Sequence, residues 1–348
     1  MRKLVFITQV VDPGDPNLGA TTAKIAALAR RLDEVVVLCD RGDGSQLPDN
    51  CRVRTFGART RLRRALCYVG ALREELREPP IAVVAHMIPL YAVVAAPLVR
   101  PRRIPLMLWY THWKSHVVLR MARAVCTHVL SLDERSFPLR SRKVHGIGHG
   151  IDVDEFPCQP VQPSAGRSLR VLSLGRYSPP KKLDEMIEGV RIARARGLDA
   201  RIDLYGTTGT PALEEYKRSL EALVARPEYR EFATVGGPVP RTELAPVYGE
   251  ADVVASDFIS PDKVVLEACS SCRPVLASER SFDRLFEGIE PALAFERGRP
   301  ETFADRLEAL AALSDEERHA IGRELRVRVR QQHSVDTWAD AILRLAGR

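Results

Sequence analysis

Two runs of the same rhythm, separated by a stretch of prolines, constrain this chain more than any other feature. Short apolar segments of strand length stand at 3–11 (KLVFITQVV), 35–39 (VVVLC), 81–85 (IAVVA), 105–110 (PLMLWY) and 127–131 (THVLS), and helical patterns such as TTAKIAALARRL (21–32) lie between several of them. Strands apolar on both faces belong in a parallel sheet, and parallel neighbours need a long crossover, usually a helix. The alternation therefore predicts a parallel sheet with helices on both faces. It stops at PCQPVQPSAGRS (157–168), which reads as a linker. It then resumes with strands predicted at 169–174, 201–205, 252–255 and 274–277. In the helix after the first of these, Leu183, Met186, Ile187 and Val190 fall at i, i+3, i+4 and i+7, with Asp184 and Glu185 in the first turn and Gly197 beyond the end. The expected fold class is α/β: two Rossmann-like parallel-sheet domains, residues 1–158 and 169–330, facing across a cleft between the carboxyl ends of their sheets.

At 348 residues the chain has room for two such domains, and 45% apolar with 28% charged residues excludes a disordered chain. MRKLVFITQVV imitates a signal peptide, but Gln9 breaks the apolar run and DPGDP follows it in place of a small-residue cleavage site. The stretch 81–99 approaches membrane-spanning length, yet His86, Pro89 and Pro97 interrupt it, so a strand followed by a buried helix is expected. Seven cysteines without framework spacing suit a reducing compartment, and the expected setting is the cytoplasm. Residues 1–158 hold 24 Lys/Arg against 15 Asp/Glu and the remainder 28 against 30, so the first half is the expected partner of an anion. With 6% aromatics and no recognisable module, nucleic acid is not the expected one. The basic amphipathic segment RTRLRRALCYVGALREELRE (59–78) has two readings, a solvated helix packed on the core or peripheral contact with an anionic membrane at its inner face.

The chemistry concentrates in LSLGRYSPPKKLDEMIEG (172–189), where Arg176, Lys181 and Lys182 surround the turn from a strand into a helix. A helix amino terminus already disfavours cations. A bound diphosphate would compensate them, with arginine as a planar fork and lysine as a point charge. Solvated surface lysines are the other reading, and these residues alone do not choose between the two.

Further on, GPVPRTELAPVYGEADV (237–253) and LEACSSCRPV (266–275) follow GRYSPPKKLDEMI in an order and spacing that resemble the retaining, nucleotide-sugar-dependent glycosyltransferases of family 4, which have the GT-B architecture. GHGIDVDEF (148–156) resembles that family's domain junction, with His149 in place of asparagine. The resemblance covers the whole second half. It implies a hexosyltransferase that moves a sugar from a nucleoside-diphosphate sugar to an acceptor hydroxyl with retention of anomeric configuration. No cofactor and no metal are implied. Arg176 and Lys181 would clamp the donor diphosphate, with Lys182 at the family's glycine position as a further cation. Glu267 would accept hydrogen bonds from the ribose hydroxyls. The loop Ser260, Asp262, Lys263 and Val264 would offer backbone amides to the phosphate and sugar. The family often has a glutamate eight residues before the ribose-binding one; here that position is Ile259, flanked by Asp257 and Asp262 as replacements. The terminal segment 331–348 would form a helix that returns to the first domain.

In the first half, DPGDPNLGATT (12–22) nearly spells a phosphate-binding loop, but Ala20 stands where the lysine is required, which argues against an NTPase. By resemblance Gly19 would let the backbone approach the donor phosphate, His112 would sit by the reacting sugar and His86 on the acceptor side. CSSC (269–272) has redox or metal spacing without a second pair. DVD (152–154) looks like a metal-binding triplet but lies in the junction, and HGIGHG (145–150) runs into no helix. The acceptor, a glycan, lipid or small molecule, is not specified. Two alternatives remain beside the transferase: an epimerase or hydrolase of nucleotide sugars on the same fold, and a non-catalytic nucleotide-sugar-binding protein.

Overall fold

The first strand, β1 (Lys3–Val11), is buried at eight of its nine residues, and it lies third of seven in its sheet, where both faces are covered. Around it the chain forms α1 (Thr21–Ala29), β2 (Glu34–Gly42), β3 (Cys51–Thr55), α2 (Arg61–Glu75), β4 (Ala82–His86), α3 (Pro89–Val99), β5 (Leu106–Trp109), α4 (Val117–Val125), β6 (His128–Ser131) and β7 (Val144–Gly146). The strands pair in the order β3-β2-β1-β4-β5-β6-β7, every neighbour parallel. The period of two separates the faces. Val5, Ile7, Val36 and Leu38 pack with residues of α2, α3 and α4 on one side, and Leu4, Phe6, Val35 and Val37 pack toward α1 on the other.

The second sheet follows with β8 (Leu169–Leu174), α5 (Leu183–Ala195), β9 (Ala200–Tyr205), α6 (Pro211–Val224), β10 (Ala233–Val235), α7 (Leu244–Glu250), β11 (Val253–Ser256), α8 (Lys263–Ser270) and β12 (Val275–Ala277). Its order is β10-β9-β8-β11-β12, again all parallel. Helices α9 (Asp283–Phe286), α10 (Pro300–Ala311) and α11 (Asp315–His333) complete this region, and α12 (Val335–Ala346) ends the chain. The four residues expected on one face of α5 are all buried.

This computed structural model describes residues 1–15, 18–160, 163, 166–259, 262–278 and 280–347, the side chain of residue 281 excepted. It divides into two compact units, Met1–Asp152 with Gln332–Arg348 (unit 1) and Val153–Gln331 (unit 2). The division falls ahead of the proline-rich stretch, because Val153 and Phe156 are buried in unit 2, where Phe156 lies 5.9 Å from the Tyr248 ring. In unit 1, α12 packs on α1 and inserts Trp338, fully buried, 6.4 Å from the Phe6 ring and 5.8 Å from that of Trp109.

Three strands lie outside the apolar runs. β3 is an edge strand whose Arg52 and Arg54 reach the buried Glu75 at 2.8 and 2.7 Å, so its alternation is basic and not polar-neutral. β7 and β10 are three-residue edge strands. Seven cysteines without framework spacing gave no expectation of a bridge, yet Cys158 is disulfide-bonded to Cys272, the last cysteine of CSSC, across 114 residues with the Cα atoms 4.9 Å apart. Spacing along the chain carries no sign of a pair that only the fold of unit 2 brings together. The stretch 81–99 resolves into β4 and α3. Among the described residues no helix is long and apolar enough to cross a membrane.

Candidate functional site

In unit 2 the chain runs outward from β8 through β9 to β10, then returns to lay β11 against the other side of β8. The loops leaving the carboxyl ends of β8 and β11 therefore part, and the crevice at such a switch point is where an open parallel sheet receives its ligand. Arg176 and Lys181 follow β8; Asp262 and Glu267 follow β11.

Gly175 ends β8 at φ +125°, and a Cβ there would lie 2.5 Å from Lys181 Nζ. The glycine makes room for that ammonium, which is only 6% exposed. Lys181 Nζ donates to the Leu174 carbonyl at 3.0 Å and to Asp262 Oδ2 at 2.5 Å, and it sits 5.4 Å from the Phe258 ring centroid. Ser256 Oγ donates to the same Asp262 oxygen at 3.1 Å, while Oδ1 caps α8 at the Val264 amide. A buried lysine and a half-buried aspartate thus tie the two parting loops together. Lys182 adopts φ +45°, the left-handed region a glycine would take at no cost, and a lysine there costs about 1 kcal/mol. Its ammonium pairs with Glu185 in the first turn of α5. Lys181 and Lys182, two of the three cations expected to face an anion, are therefore bound to carboxylates of unit 2; the Arg176 side chain is exposed.

Glu267 lies inside α8, 1% exposed. Tyr248 Oη donates to its Oε2 at 3.0 Å. Burial, with Glu267 alongside, pushes the Tyr248 phenol well above its usual range, so it remains a donor. Oε1 accepts no hydrogen bond among the described residues, although Arg241 Nη1 stands 3.6 Å and Lys263 Nζ 3.9 Å away. Buried acceptors are rarely left without a donor, and such an oxygen is available to a hydroxyl group. Arg241 is held in turn by Glu155 at 2.5 Å and lies 5.6 Å from the Phe156 ring centroid. Neither Arg241 nor Tyr248 was singled out from sequence. Both lie in GPVPRTELAPVYGEADV, and the signal was a cation and a phenol placed upstream of a lone glutamate.

The two carboxylates considered as replacements at position 259 are both engaged. Asp257, 2% exposed, accepts from Ser278 Oγ at 2.7 Å and from the Gly298 amide at 3.3 Å, with Arg297 Nε at 3.5 Å; burial raises its pKa. Asp262 holds Lys181. Lys263 is partly exposed and Val264 buried, and Ser260 lies outside the described residues. Of the junction triplet, Asp154 pairs with Arg330 at 2.5 Å.

Unit 1 has its own switch point between β1 and β4, flanked by Gly19 and His86. A Cβ on Gly19 would lie 2.4 Å from the Pro13 carbonyl oxygen, and its amide donates to Asp15 O at 2.9 Å, so the loop requires glycine for its own closure. His86 is packed in the core, 3% exposed, with Nδ1 3.3 Å from Thr8 Oγ1 and its ring 5.4 Å from Phe6. Burial, reinforced by Lys24, holds its pKa well below the usual value, so it is neutral. The residue expected on the acceptor side is thus a core histidine. His112 is exposed beyond β5; its Nδ1 accepts from the Lys114 amide at 3.1 Å and its ring stacks on Trp113. His149 stands edge-on to Trp109. Between the loops after β1 and β2 opens a cavity of about 400 Å³ whose polar lining includes Asp12, Thr22, Asp43, Ser45 and Gln46.

Residues 168–312, from β8 through α10, match the family model described as glycosyl transferases group 1. Comparison with curated proteins gives no match. Among solved structures, HepE from Anabaena in complex with UDP and glucose aligns over 100% of both chains with TM-score 0.77 at 17% identity. A glycosyltransferase from Rickettsia africae aligns over 99% of this chain and 97% of its own, with TM-score 0.77 at 11% identity. Sucrose-phosphate synthase from Thermosynechococcus elongatus aligns over 99% and 98%, with TM-score 0.73 at 18% identity. The fold is GT-B. In this GT-B chain the matched segment contains Arg176, Lys181, Tyr248 and Glu267, which all belong to unit 2.

Proposed function

We propose that this protein is a retaining glycosyltransferase that takes a hexose from a nucleoside-diphosphate sugar and places it on an acceptor hydroxyl. The observation that carries this reading is the switch point of the second sheet. There an exposed arginine, a buried lysine and a buried glutamate with an unsatisfied oxygen follow two neighbouring strands, inside the segment that matches the glycosyl transferases group 1 model. Arg176 meets the diphosphate. Lys181, held by Asp262, supplies a second cation once the phosphate competes for it, and Glu267 Oε1 takes the ribose hydroxyls. HepE was solved with UDP and with UDP-glucose, so a uridine diphosphate hexose is the donor proposed first.

In this account Arg176 and Lys181 meet the charge that grows on the departing diphosphate, and the loss of one such donor costs about 10²–10³ in rate. The leaving phosphate takes the proton of an acceptor that approaches on its own face, which retains configuration. His112 is assigned to the reacting sugar. The acceptor-side cavity of unit 1 offers carboxylates and hydroxyls, a lining suited to hydroxyl-bearing acceptors. No metal or cofactor takes part in the proposal.

A second reading has one specific observation in its favour. Asp257 and Asp262, the candidate replacements for the carboxylate absent at Ile259, are both engaged within unit 2. A protein that binds nucleotide sugars without transferring them would have that property. The test is to incubate the protein with UDP-glucose and a panel of hydroxyl acceptors and read the product by NMR. An α-linked product from the α-donor supports the proposal. Inversion contradicts retention, and nucleotide binding without turnover on any acceptor selects the second reading. Release of free sugar or conversion of the donor with no acceptor present would indicate the hydrolase or epimerase.

A further inference from the structure

The described residues leave eight large apolar side chains exposed, and six belong to one layer of unit 1: Leu62, Leu66, Leu90, Trp113, Val117 and Met121. Single exposed apolar residues are ordinary, but a group of them is not. Their positions share a cause. All strands of the first sheet are parallel, so α2, α3 and α4, which cover one face side by side, begin at the sheet's carboxyl end. Leu62 and Leu66 are in the first half of α2, Leu90 in the first turn of α3, and Val117 and Met121 in the first half of α4, with Trp113 just before it. The six therefore gather at one end of the layer.

The charges that these helices and the loops leading into them contribute there are nearly all positive; the acid facing them is Asp40 of β2, which pairs with Arg64 at 3.0 Å. From Pro79 to Leu132, and again from Cys51 to Arg73, the sequence contains no aspartate or glutamate. Arg59, Arg61, Arg63 and Arg120 are exposed beside the apolar residues, and Lys114 Nζ lies 4.9 Å from the Trp113 ring centroid. Neither Arg61 nor Arg63 forms an ion pair among the described residues, and none of the three helices has an acid in its first turn. The three amino termini add their own positive potential.

We propose that this end of unit 1 docks on an anionic phospholipid surface, with Leu62, Leu66, Val117 and Met121 entering the acyl boundary and the arginines lying at the headgroups. Cations alone would suit any polyanion. The apolar residues between them, with a tryptophan beside a lysine, are what a bilayer interface accommodates and a nucleic-acid backbone does not. The inference extends beyond glycosyl transfer and does not depend on it.

Sedimentation of the full-length protein with vesicles tests it. The vesicles are equal parts phosphatidylglycerol and phosphatidylcholine, or phosphatidylcholine alone, each with and without added salt. The protein is expected to sediment with the anionic vesicles, less so in salt, and not with the neutral ones. Arg61→Ala/Arg63→Ala should weaken binding about thirty-fold, since each cation near such a surface contributes about a factor of five. Leu62→Ser/Leu66→Ser should weaken it roughly tenfold or more. Val327→Ser, which removes an exposed apolar residue of unit 2, should leave it unchanged. Thermal unfolding of each variant verifies that it is folded. The proposal is overturned if the protein ignores anionic vesicles, or if either double variant binds them as wild type does. It is equally overturned if duplex DNA competes for the site and only the arginine variant loses binding, or if the leucines instead mediate self-association in the absence of lipid.

Discussion

Glu267 and its surroundings show how a single buried residue gains a function. One oxygen is satisfied by Tyr248, the other stands near two cations with no hydrogen bond, and the helix that carries it is buried around it. Glu267→Gln keeps the shape but offers the ribose a neutral acceptor. Hydrogen bonds to charged groups contribute about 1.5–3 kcal/mol, so donor affinity should fall roughly 10–100-fold by calorimetry while the thermal midpoint without ligand changes little. A variant with unchanged affinity would remove Glu267 from the donor site. At this scale the sequence was informative about residue type and silent about partners. It grouped Arg176, Lys181 and Lys182 as cations around one turn that would face the same anion. The structure separates them, since Asp262 and Glu185 lie 81 and three residues from the lysines they bind, and only the second distance is visible as a helix spacing. The surroundings of His86 were hidden for the same reason: a histidine at a strand's end reads identically whether it stands open or packs, as here, against Thr8 and Phe6.

At the scale of elements, α12 shows what holds unit 1 together. Its Trp338 is fully buried beside Phe6 and Trp109, and Asp336 and Asp340 pair with Arg30 and Arg31 of the α1 region. The ion pairs are exposed and contribute about 0–1 kcal/mol. The tryptophan dominates, and Trp338→Ala should destabilise the protein by about 3–5 kcal/mol in urea unfolding, against less than 1 kcal/mol for Asp340→Ala. Comparable losses in the two would mean that charge, not packing, docks the helix. Central strands were legible because burial on both faces writes them as continuous apolar runs. Edge strands were not. β3 carries two arginines that are satisfied by Glu34, Glu74 and Glu75, and β7 and β10 are too short for any periodicity.

At the scale of the whole molecule, two histidines buried as neutral groups tie stability to pH. Burial lowers His333 to about 4, with Asp133 opposing, and His86 also lies well below its ordinary value. Each binds a proton more readily in the unfolded chain. Their contribution is therefore fully present above about pH 6.5 and is lost as pH falls toward the folded values, at about 1.4 kcal/mol per pH unit for each. Between pH 7.5 and 5, His333→Gln should lose about 2 kcal/mol less stability than wild type; an equal loss would show that this histidine does not govern the acid limb. The α/β class with two parallel sheets was legible because their rhythm is repeated along the chain, whereas the disulfide from Cys158 to Cys272 was not, because it joins points that only folding brings together. The central claim is that the switch point of the second sheet receives a nucleotide sugar, and thermal stabilisation by UDP-glucose addresses it directly. At a hundred times its dissociation constant a ligand adds about 2.7 kcal/mol, or a few degrees for a chain of this size. The account predicts that shift for wild type and its loss in Arg176→Ala, whose own midpoint without ligand should match wild type because the side chain is exposed. An equal shift in both proteins would contradict it.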